Sequence, residues 1–304
     1  MRARAFVFVA GSVLLTVLLI GHEWVPDIYG LGVAADAATP WLVLAAPALA
    51  LTALLCRCPG GAAATLAPVL VWAYMFGSWW APEARAVASP PGAELRVVTQ
   101  NLFAQNSSPT ATARALVATD ADLVAVQELG ATDRAPVQQV LNVAYPYHEE
   151  IGTVALWSRY PTSGTTAADV GLDWHRGLRT HIATPQGDVV MYVVHLPSIR
   201  RDDTATRDHG LEVLSRTLTA ERAGRVVVAG DFNTPRTDRH WPGFAPGYTE
   251  VQPGGPGFTW PAAFPLVRLD HILTRGLDPI GASVRRFPGP DHRAMAATIA
   301  LPVR

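Results

Sequence analysis

The stretch VVVAGDFNTP, from Val226 to Pro235, decides how the rest of the chain is interpreted. Its β-branched apolar start is typical of a strand buried on both faces, and the polar residues that follow mark the end of that strand. Sheet-based enzymes place their polar chemistry at such ends. Asp231 and Asn233 stand two residues apart, so on an extended backbone their side chains point the same way. A carboxylate beside an amide suits a phosphate bound to Mg²⁺, although a simple Asx turn also explains Gly-Asp-x-Asn.

The composition indicates membrane content. Of the 304 residues, 49% are hydrophobic and only 16% are charged, whereas soluble domains have roughly 25% charged residues. The basic residues are all Arg. Cys56 and Cys58 form a CxC flanked by Arg57 and Pro59, which excludes a disulfide scaffold and offers too few ligands for a metal site.

Three apolar runs lie in the first third of the chain, at about residues 5–21, 40–56 and 62–81. Each run is close to the roughly 17–25 residues that are needed to cross a bilayer. Tryptophans near the ends of the runs are typical of membrane interfaces. A cleaved signal peptide explains one run but not three, and the alternative is a buried helical subdomain of a soluble protein.

The arginines predict the orientation of these spans. Arg2 and Arg4 precede the first span, Arg57 lies between the second and third, and the segment 22–40 contains none. The positive-inside rule places these arginines and the N-terminus in the cytoplasm, so that three spans put the rest of the chain outside the cell membrane. We therefore expect a multi-pass membrane domain over residues 1–82, a Pro/Ala-rich linker over 83–94 and an extracytoplasmic catalytic domain over 95–304.

The globular part alternates predicted strands and helices. No Gly-x-Gly-x-x-Gly follows a first strand, so a dinucleotide-binding fold is unsupported, and mixed sheets with helices outside are expected. The predicted strands are 95–101, 122–128, 154–157, 178–184, 189–195, the strand that opens at 226, 269–274, 282–287 and 295–301. The predicted helices are 109–119, 132–141 and 203–220.

Several predicted strands end in polar residues that bear catalytic chemistry. One such end means little, whereas a series of them indicates the shared floor of one site. The residues are Asn101, Glu128, His195, Asp231 with Asn233, Asp270 with His271, and Asp291 with His292.

In chain order, the motifs QNL, QE, VHLPS, GDFN, RLDHIL and DHR resemble the endonuclease/exonuclease/phosphatase superfamily, the metal-dependent phosphoesterases related to DNase I. The resemblance covers about residues 95–304. GDFN and the final DH are weak signals singly, but their order with an intervening RLDH is specific. The resemblance implies an α/β fold, a four-layer α/β/β/α sandwich of two mixed sheets.

The family's chemistry explains a metal at this site. When water attacks a phosphoester or anhydride, charge must be neutralised, the water deprotonated and the leaving oxygen stabilised. The resemblance implies that Glu128 holds Mg²⁺ or Mn²⁺, with Asn101 and Asp291 close enough to help. Mg²⁺ keeps several of its waters, so one strong carboxylate suffices. Pro290 stands where the family often has Ser, which removes a hydroxyl contact beside Asp291.

The resemblance also implies catalytic roles. His292 is expected to act as general base or to stabilise the pentacoordinate phosphate, and Asp270 to orient its imidazole. Asp231 is expected to position the attacking water.

Asn233 and His195 are implied as phosphate contacts, with Ser198 a further contact to the substrate. Simpler interpretations remain open, because Asn101 could close a turn and His195 could be a buried core histidine. His271 neighbours Asp270 on a strand and therefore faces away, which makes it structural.

The charge distribution argues against nucleic acid as the substrate. From Glu83 onward the chain has 21 Arg against 22 Asp and Glu, whereas a protein that grips a polyanion usually carries a basic face. The predicted spans favour a membrane lipid that bears phosphate or pyrophosphate, because tethering raises the effective concentration of such a substrate.

Three spans before such a domain resemble the membrane-bound teicoplanin-resistance proteins of the VanJ type. This resemblance rests on architecture and implies hydrolysis of undecaprenyl pyrophosphate or a related lipid-linked phosphate. The alternatives are an extracellular nuclease or phosphodiesterase, and a non-catalytic membrane binding protein that keeps a phosphate-shaped pocket.

Overall fold

The chain folds into two compact units. The structure, a computed structural model, describes residues 2–80, 93–200 and 203–301, so all but the end of the predicted linker lies outside the described residues. The helical unit comprises Met1–Ala81, Arg200–Thr204 and Pro235–Pro242. The sheet unit comprises Pro82–Ile199, Ala205–Thr234 and Gly243–Arg304.

The helical unit contains three long apolar stretches. Its α-helices are α1 (Arg2–Gly21), α2 (Leu31–Ala38), α3 (Ala45–Leu55), α4 (Pro59–Ala64) and α5 (Leu66–Phe76). With the short turns between them they form Ala3–Trp24, Leu31–Leu55 and Pro59–Trp80, each long and apolar enough to cross a membrane. Many of their large side chains, including Phe6, Leu14 and Leu70, are exposed on the unit's surface, as apolar spans require.

The second stretch begins at Leu31 and not near residue 40 as predicted. Asp36 and Pro40 break the apolar pattern in the sequence, but Asp36 is fully buried. Its carboxylate oxygens lie 2.8 Å from His22 Nδ1 and 2.8 Å from Arg239 Nε. A carboxylate paired in this way is tolerated in apolar surroundings.

Arg239 belongs to the segment Pro235–Pro242 of the helical unit. Besides its bonds to Asp36, it donates through Nη1 to the carbonyl oxygen of Val25 at 2.7 Å. A Cβ at Gly32 would come within 2.6 Å of Arg239 Nη2. The absence of a side chain at Gly32 therefore makes room for the guanidinium.

The described part of the sheet unit has two six-stranded mixed sheets. The first contains β1 (Glu94–Asn101), β2 (Leu123–Gln127), β3 (Tyr147–Ile151), β4 (Val154–Ser158), β11 (Pro279–Arg285) and β12 (Ala294–Ala300), in the order β11-β12-β1-β2-β4-β3. The second contains β5 (Thr162–Ala167), β6 (Gly177–Thr184), β7 (Gly187–His195), β8 (Val226–Asp231), β9 (Thr249–Glu250) and β10 (Asp270–Arg275), in the order β5-β6-β7-β8-β10-β9. The pairs β1–β2 and β7–β8 are parallel.

Alternate residues of the strands point into two different cores. Val97 of β1 packs between the sheets with Met191 of β7 and Val227 of β8. Its neighbour Val98 faces the other way and packs with residues of α6 (Pro109–Val117) and α7 (Ala131–Ala144), such as Leu116 and Leu141. This two-residue alternation is what a sheet covered on both faces requires.

The third helix of the sheet unit is α8 (Ala205–Ala220), within the predicted helix 203–220, and it buries Leu211, Leu214 and Leu218. The predicted four-layer α/β/β/α arrangement of two mixed sheets is confirmed.

Three short strands, β3, β5 and β9, were missed by the sequence pattern. All three lie at or beside a sheet edge, and their residues are half-buried or exposed. Edge strands lack the continuous apolar run that marks a central strand. The central strands, by contrast, were all predicted.

The motif strand β8 lies in the middle of its sheet, between β7 and β10. Gly230 has φ 159°, and a Cβ at this position would come within 1.9 Å of the carbonyl oxygen of Val194 on β7. The glycine of GDFN is therefore required by the close approach of the neighbouring backbone. In this closely packed pair of strands, Gly230 is opposite Val194 and Asp231 is opposite His195.

Candidate active site

Polar side chains from both sheets converge on the carboxylate of Asp231. His195 on β7 and Asp270 on β10 are each in register with Asp231. Asn101, at the end of β1 in the other sheet, donates through Nδ2 to Asp231 Oδ2 at 2.9 Å. His195 Nε2 and His292 Nε2 lie 3.6 Å and 3.8 Å from the same oxygen. The structure thus brings these predicted residues into one cluster.

Glu128 supplies the most accessible carboxylate of this cluster, with 27% of its side chain exposed. It follows β2 directly and has φ 57°, in the left-handed region. Its Oε1 accepts a hydrogen bond from Asn101 Nδ2 at 3.1 Å, and its Oε2 accepts one from the backbone N–H of Ala104 at 2.8 Å. Such backbone strain in a non-glycine residue is found most often at functional sites.

His292 lies in the loop before β12 and is oriented by Asp270. Its Nδ1 donates to Asp270 Oδ2 at 2.8 Å, which leaves Nε2 directed toward Asp231. The carbonyl oxygen of His292 accepts a hydrogen bond from Gln100 Nε2 at 3.2 Å, so the neighbour of Asn101 fixes the backbone of this loop. This is the arrangement of an imidazole held by a buried carboxylate in hydrolytic sites.

The two imidazoles have opposite electrostatic surroundings. Burial opposes the charge on His292, but the carboxylates of Asp270 and Asp231 raise its pKa to about 10. Burial lowers the pKa of His195, and the charges of Arg176 and His292 lower it further. Burial also raises the pKa of Asp231. These surroundings favour the charged form of the His292 imidazole and the neutral form of the His195 imidazole.

Asn233 reaches the site by a different geometry from the one predicted. Its φ is 47°, so the backbone between Asp231 and Asn233 is not extended, and that premise was wrong. The backbone N–H of Asn233 donates to Asp231 Oδ1 at 2.9 Å, which is an Asx turn. Its Nδ2 donates to the carbonyl oxygen of Leu196 at 2.9 Å. Asn233 thus holds the loops that follow β7 and β8 together.

Arg176 belongs to the cluster but was not predicted from the sequence. It is buried immediately before β6, and its guanidinium lies within hydrogen-bond reach of the His195 imidazole. Its carbonyl oxygen accepts the backbone N–H of His195 at 2.8 Å. One feature of the sequence could have indicated Arg176. It directly precedes the predicted strand 178–184, and that strand pairs with the predicted strand 189–195, which ends at His195.

The remaining predicted residues occupy the periphery. Asp291 accepts a hydrogen bond at Oδ2 from Trp260 Nε1 at 3.3 Å. Ser198 is exposed in the loop after β7. His271 is buried with its Nδ1 2.6 Å from Glu250 Oε1, which agrees with the structural role expected for it.

The donor set fits a hard divalent cation. Asp231, Asp270 and His292 each offer one ligand atom, and these atoms lie within 4.8 Å of one another. Asp270 Oδ1 is buried and has no hydrogen-bond partner among the described residues. A buried carboxylate oxygen needs a partner, and a cation would provide one. Glu128 adds a more accessible carboxylate beside Asn101. This group differs from the predicted set of Glu128, Asn101 and Asp291, in which Asn101 is hydrogen-bonded to Glu128 and Asp291 lies at the periphery beside Trp260.

Solved structures of other proteins share this fold. Humanized D. rerio TDP2 with 14 mutations has a TM-score of 0.60 and 18% identity, over 68% of this chain and 99% of that chain. D. rerio TDP2 complexed with a single-strand DNA product has a TM-score of 0.57 and 18% identity over the same shares. A beta toxin mutant from Staphylococcus aureus with bound magnesium ions has a TM-score of 0.55 and 14% identity, over 67% of this chain and 99% of that chain.

At these identities the likeness shows the fold alone, and no curated protein matches the chain by sequence. The sequence model of one family, however, matches residues 98–296, which span every residue of the cluster around Asp231. The chain therefore belongs to the endonuclease/exonuclease/phosphatase family.

Proposed function

We propose that this protein is a membrane-anchored, metal-dependent phosphohydrolase that faces out of the cell and acts on a lipid-linked phosphate or pyrophosphate of the cell envelope. The single observation that carries the hydrolase assignment is the hydrogen bond from His292 Nδ1 to Asp270 Oδ2, with Nε2 3.8 Å from Asp231. The three apolar stretches support the membrane anchor.

We assign a separate catalytic role to each of the buried residues Asp270, His292 and Asp231. Asp270 fixes the ring of His292, so Nε2 is available to donate to an oxygen of the phosphoryl group as negative charge builds up on it. Asp231 lies beside Nε2 and offers the carboxylate that orients the attacking water and accepts its proton.

His195 and Arg176 supply the second side of the phosphate site. The neutral imidazole lies 3.7 Å from Glu128 Oε1 and 3.6 Å from Asp231 Oδ2, with the Arg176 guanidinium against it. A guanidinium is suited to hold a phosphate oxygen in two-point contact. Asn233 holds Asp231 in place through its backbone N–H. Its own contact with the phosphate is proposed to lie at the edge of the site.

Glu128, with Asn101 and Asp291, is proposed to hold Mg²⁺ or Mn²⁺. An ion held there would supply positive charge to neutralise the phosphate and to stabilise the leaving oxygen. In the present arrangement Asn101 directs its amide nitrogen to both Glu128 and Asp231. Asn101 would therefore contribute to the metal site by positioning the carboxylates of Glu128 and Asp231 through its amide N–H groups.

A substrate panel tests the proposal. The full-length protein in lipid nanodiscs with Mg²⁺ is offered undecaprenyl pyrophosphate, a sphingomyelin-like lipid, nucleotides and plasmid DNA, and released phosphate, the released phosphorylated head group and nicked plasmid are measured. We expect phosphate release from the lipid substrate, its loss in His292→Ala, and its loss in Glu128→Gln at the Mg²⁺ concentration that half-saturates the wild type. Activity that survives both substitutions would refute the mechanism.

Plasmid nicking without lipid hydrolysis would establish the nuclease alternative. That alternative is disfavoured by charge, because residues 83–304 carry 21 Arg against 22 acidic residues.

A cellular phenotype tests the non-catalytic alternative. We propose that hydrolysis of the lipid underlies glycopeptide resistance, so a strain expressing His292→Ala should be as sensitive to teicoplanin as a strain without the protein. A catalytically inactive variant that still protects the cells would show instead that binding suffices.

A further inference from the structure

The exposed large apolar side chains of the sheet unit are unevenly distributed. Among its described residues there are six, and Val143 and Tyr147 lie away from the site. The other four lie in two loops, one between β5 and β6 and one between β9 and β10. We name these four side chains the apolar rim: Trp174, Trp260, Phe264 and Leu266. Exposed apolar side chains beside a site mark a binding surface more often than scattered ones do, and both loops contact residues next to the histidines of the site.

The first loop is fastened to the phosphate site through Arg176. The guanidinium of Arg176 lies 4.9 Å from the ring centroid of Trp174 and against the imidazole of His195. Trp174 is nevertheless 52% exposed. One face of its ring is therefore held by the cation, and the rest of the side chain is available to a ligand that reaches His195.

The second loop is fastened to the other histidine of the site. Trp260 Nε1 donates to Asp291 Oδ2 at 3.3 Å, and the backbone N–H of Ala262 donates to the carbonyl oxygen of Asp291 at 2.6 Å. Arg293 Nε donates to the carbonyl oxygen of Ala262 at 2.9 Å. Asp291 and Arg293 flank His292, so this loop is a fixed neighbour of the catalytic imidazole. Phe264, at its tip, is 70% exposed.

We propose that the apolar rim binds the hydrocarbon chain of the substrate next to the phosphate that is hydrolysed. The inference rests on the proposed function and narrows it, because it requires the chain of the lipid, and not only its phosphate, to be recognised. A phosphate joined directly to a hydrocarbon matches both neighbouring chemistries: cationic and polar groups at His292 and Arg176, and apolar groups on the loops attached to them.

Nucleobases are the competing ligand for exposed tryptophans, since every base can stack on an aromatic ring. Leu266 is aliphatic and offers no such stacking. The balance of 21 Arg against 22 acidic residues after residue 82 also lacks the excess of positive charge that a nucleic acid backbone needs. A hydrocarbon chain therefore fits the rim better.

The test compares two water-soluble substrates that differ in chain length. Isopentenyl and farnesyl diphosphate both carry a diphosphate group and differ in the length of the hydrocarbon chain. Partitioning of the longer substrate into the nanodisc bilayer is the same for every variant, so it cancels when the variants are compared. The full-length protein in nanodiscs with Mg²⁺ is assayed for phosphate release, and the ratio of kcat/KM for farnesyl to that for isopentenyl diphosphate is the readout. Phe264→Ser and Leu266→Ser are compared with Val143→Ser, an exposed apolar position outside the rim.

We expect the wild type to have a kcat/KM for farnesyl diphosphate at least about tenfold higher than for isopentenyl diphosphate. Each rim substitution should lower this ratio several-fold. The change should appear mainly in KM, because loss of a buried hydrocarbon contact weakens binding. Val143→Ser should keep the wild-type ratio. An unchanged ratio in both rim variants, or a wild type without chain preference, would overturn the inference while leaving the hydrolase assignment intact. Rim variants that lose only the cleavage of a single-stranded oligonucleotide would also overturn it, in favour of base stacking.

Absence of phosphate release from both diphosphates and from undecaprenyl pyrophosphate would refute the proposed function itself. The two failures are thus distinguishable.

Discussion

Asp231 Oδ2 is the atom on which the site depends, since Asn101, His195 and His292 all lie within 3.8 Å of it. A buried carboxylate with one amide donor and two imidazoles nearby has little freedom to move. Its position is therefore set before substrate arrives, which is how preorganised sites reduce the cost of reaching the transition state.

Glu128→Gln tests the assigned metal ligand. Removing the charge while keeping the shape should raise the Mg²⁺ concentration for half-maximal activity by on the order of tenfold or more. Metal titrations of activity measure this, with Glu212→Gln on the exposed face of α8 as control. If Glu128→Gln keeps the wild-type Mg²⁺ dependence and Asp270→Asn shifts it instead, the ion belongs to the second donor set, Asp231, Asp270 and His292.

Gly230→Ala tests the origin of the GDFN motif. The new Cβ would meet the Val194 carbonyl oxygen at 1.9 Å, so β7 and β8 would have to separate. We expect a loss of about 3 kcal/mol in stability, at the upper end for overpacking, measured by thermal unfolding. Gly281→Ala on β11 is the matched control, because its Cβ would meet nothing within 4 Å. Equal stability of the two variants would show that close backbone approach is not why the motif has glycine.

Much of the site at this scale is predictable because strand ends meet at one edge of a sheet. Asn101 and Asp231 close β1 and β8, Glu128 directly follows β2, and Asp270 opens β10, which runs antiparallel to β8 and so begins at the same edge. Asn233 did not follow this pattern, because its side chain and N–H were taken up by an Asx turn and by Leu196. Arg176 was not found, because a single arginine before a strand has no distinctive pattern.

At the scale of elements, α8 is fastened to its sheet by a polar cluster at its C-terminal end. Glu221 accepts hydrogen bonds from Arg179 Nε on β6 at 2.7 Å and from Tyr192 Oη on β7 at 2.8 Å. Arg275 on β10 donates to the carbonyl oxygen of Glu221 at 2.8 Å. One carboxylate therefore joins a helix end to two strands of the second sheet.

The pH dependence of stability tests this cluster. Burial opposes the charge on Glu221, but Arg179, the N–H of Ala223 and Tyr192 lower its pKa from 4.5 to about 2. The ionised form is thus favoured by folding, and its contribution is present above pH 4.5 and lost as the pH falls toward 2. Glu221→Gln should lower stability by about 2 kcal/mol at pH 7 and flatten the loss below pH 4.5. Unfolding of the wild type and of Glu221→Gln between pH 2 and 7 measures the pH dependence of stability. If stability falls with pH equally in the two proteins, the role given to Glu221 is contradicted.

In the helical unit, the buried pair of Asp36 and Arg239 makes a second prediction. Asp36→Asn leaves the Arg239 guanidinium without its counter-charge, and removal of one partner from a buried pair costs about 3 kcal/mol or more. We expect a fall of several degrees in the melting temperature of the full-length protein in detergent. Arg216→Gln, from an exposed pair with Glu212, should have no measurable effect. A melting temperature equal to that of wild type would show that Asp36 is not held by charge.

The same pair explains why the element boundaries of the spans were only partly predictable. An aspartate ordinarily ends an apolar run, and its partner Arg239 lies 203 residues away in sequence. Partners so distant leave no local pattern. The central strands and long helices were predictable because their burial is periodic, whereas β3, β5 and β9 at the sheet margins have no such period.

At the scale of the whole molecule, the proposed membrane topology sets the side on which the chemistry takes place. If the arginines at positions 2, 4 and 57 lie in the cytoplasm, as we propose, three spans put the catalytic residues outside. A fusion of alkaline phosphatase after Arg304 should therefore be active in cells, and a fusion of a fluorescent protein that folds only in the cytoplasm should be dark. The reverse result would place the site inside the cell.

Lipid phosphate hydrolysis at the Asp270–His292 pair is the central claim, and one measurement tests it most directly. Phosphate release from undecaprenyl pyrophosphate is followed with Mg²⁺ and the full-length protein in nanodiscs, for wild type and His292→Ala side by side. We predict steady release by the wild type and a rate lower by on the order of a thousandfold in the variant, since both transition-state charge stabilisation and proton handling are lost. Equal release by the two proteins, or none by the wild type while its fold is intact, would contradict the account.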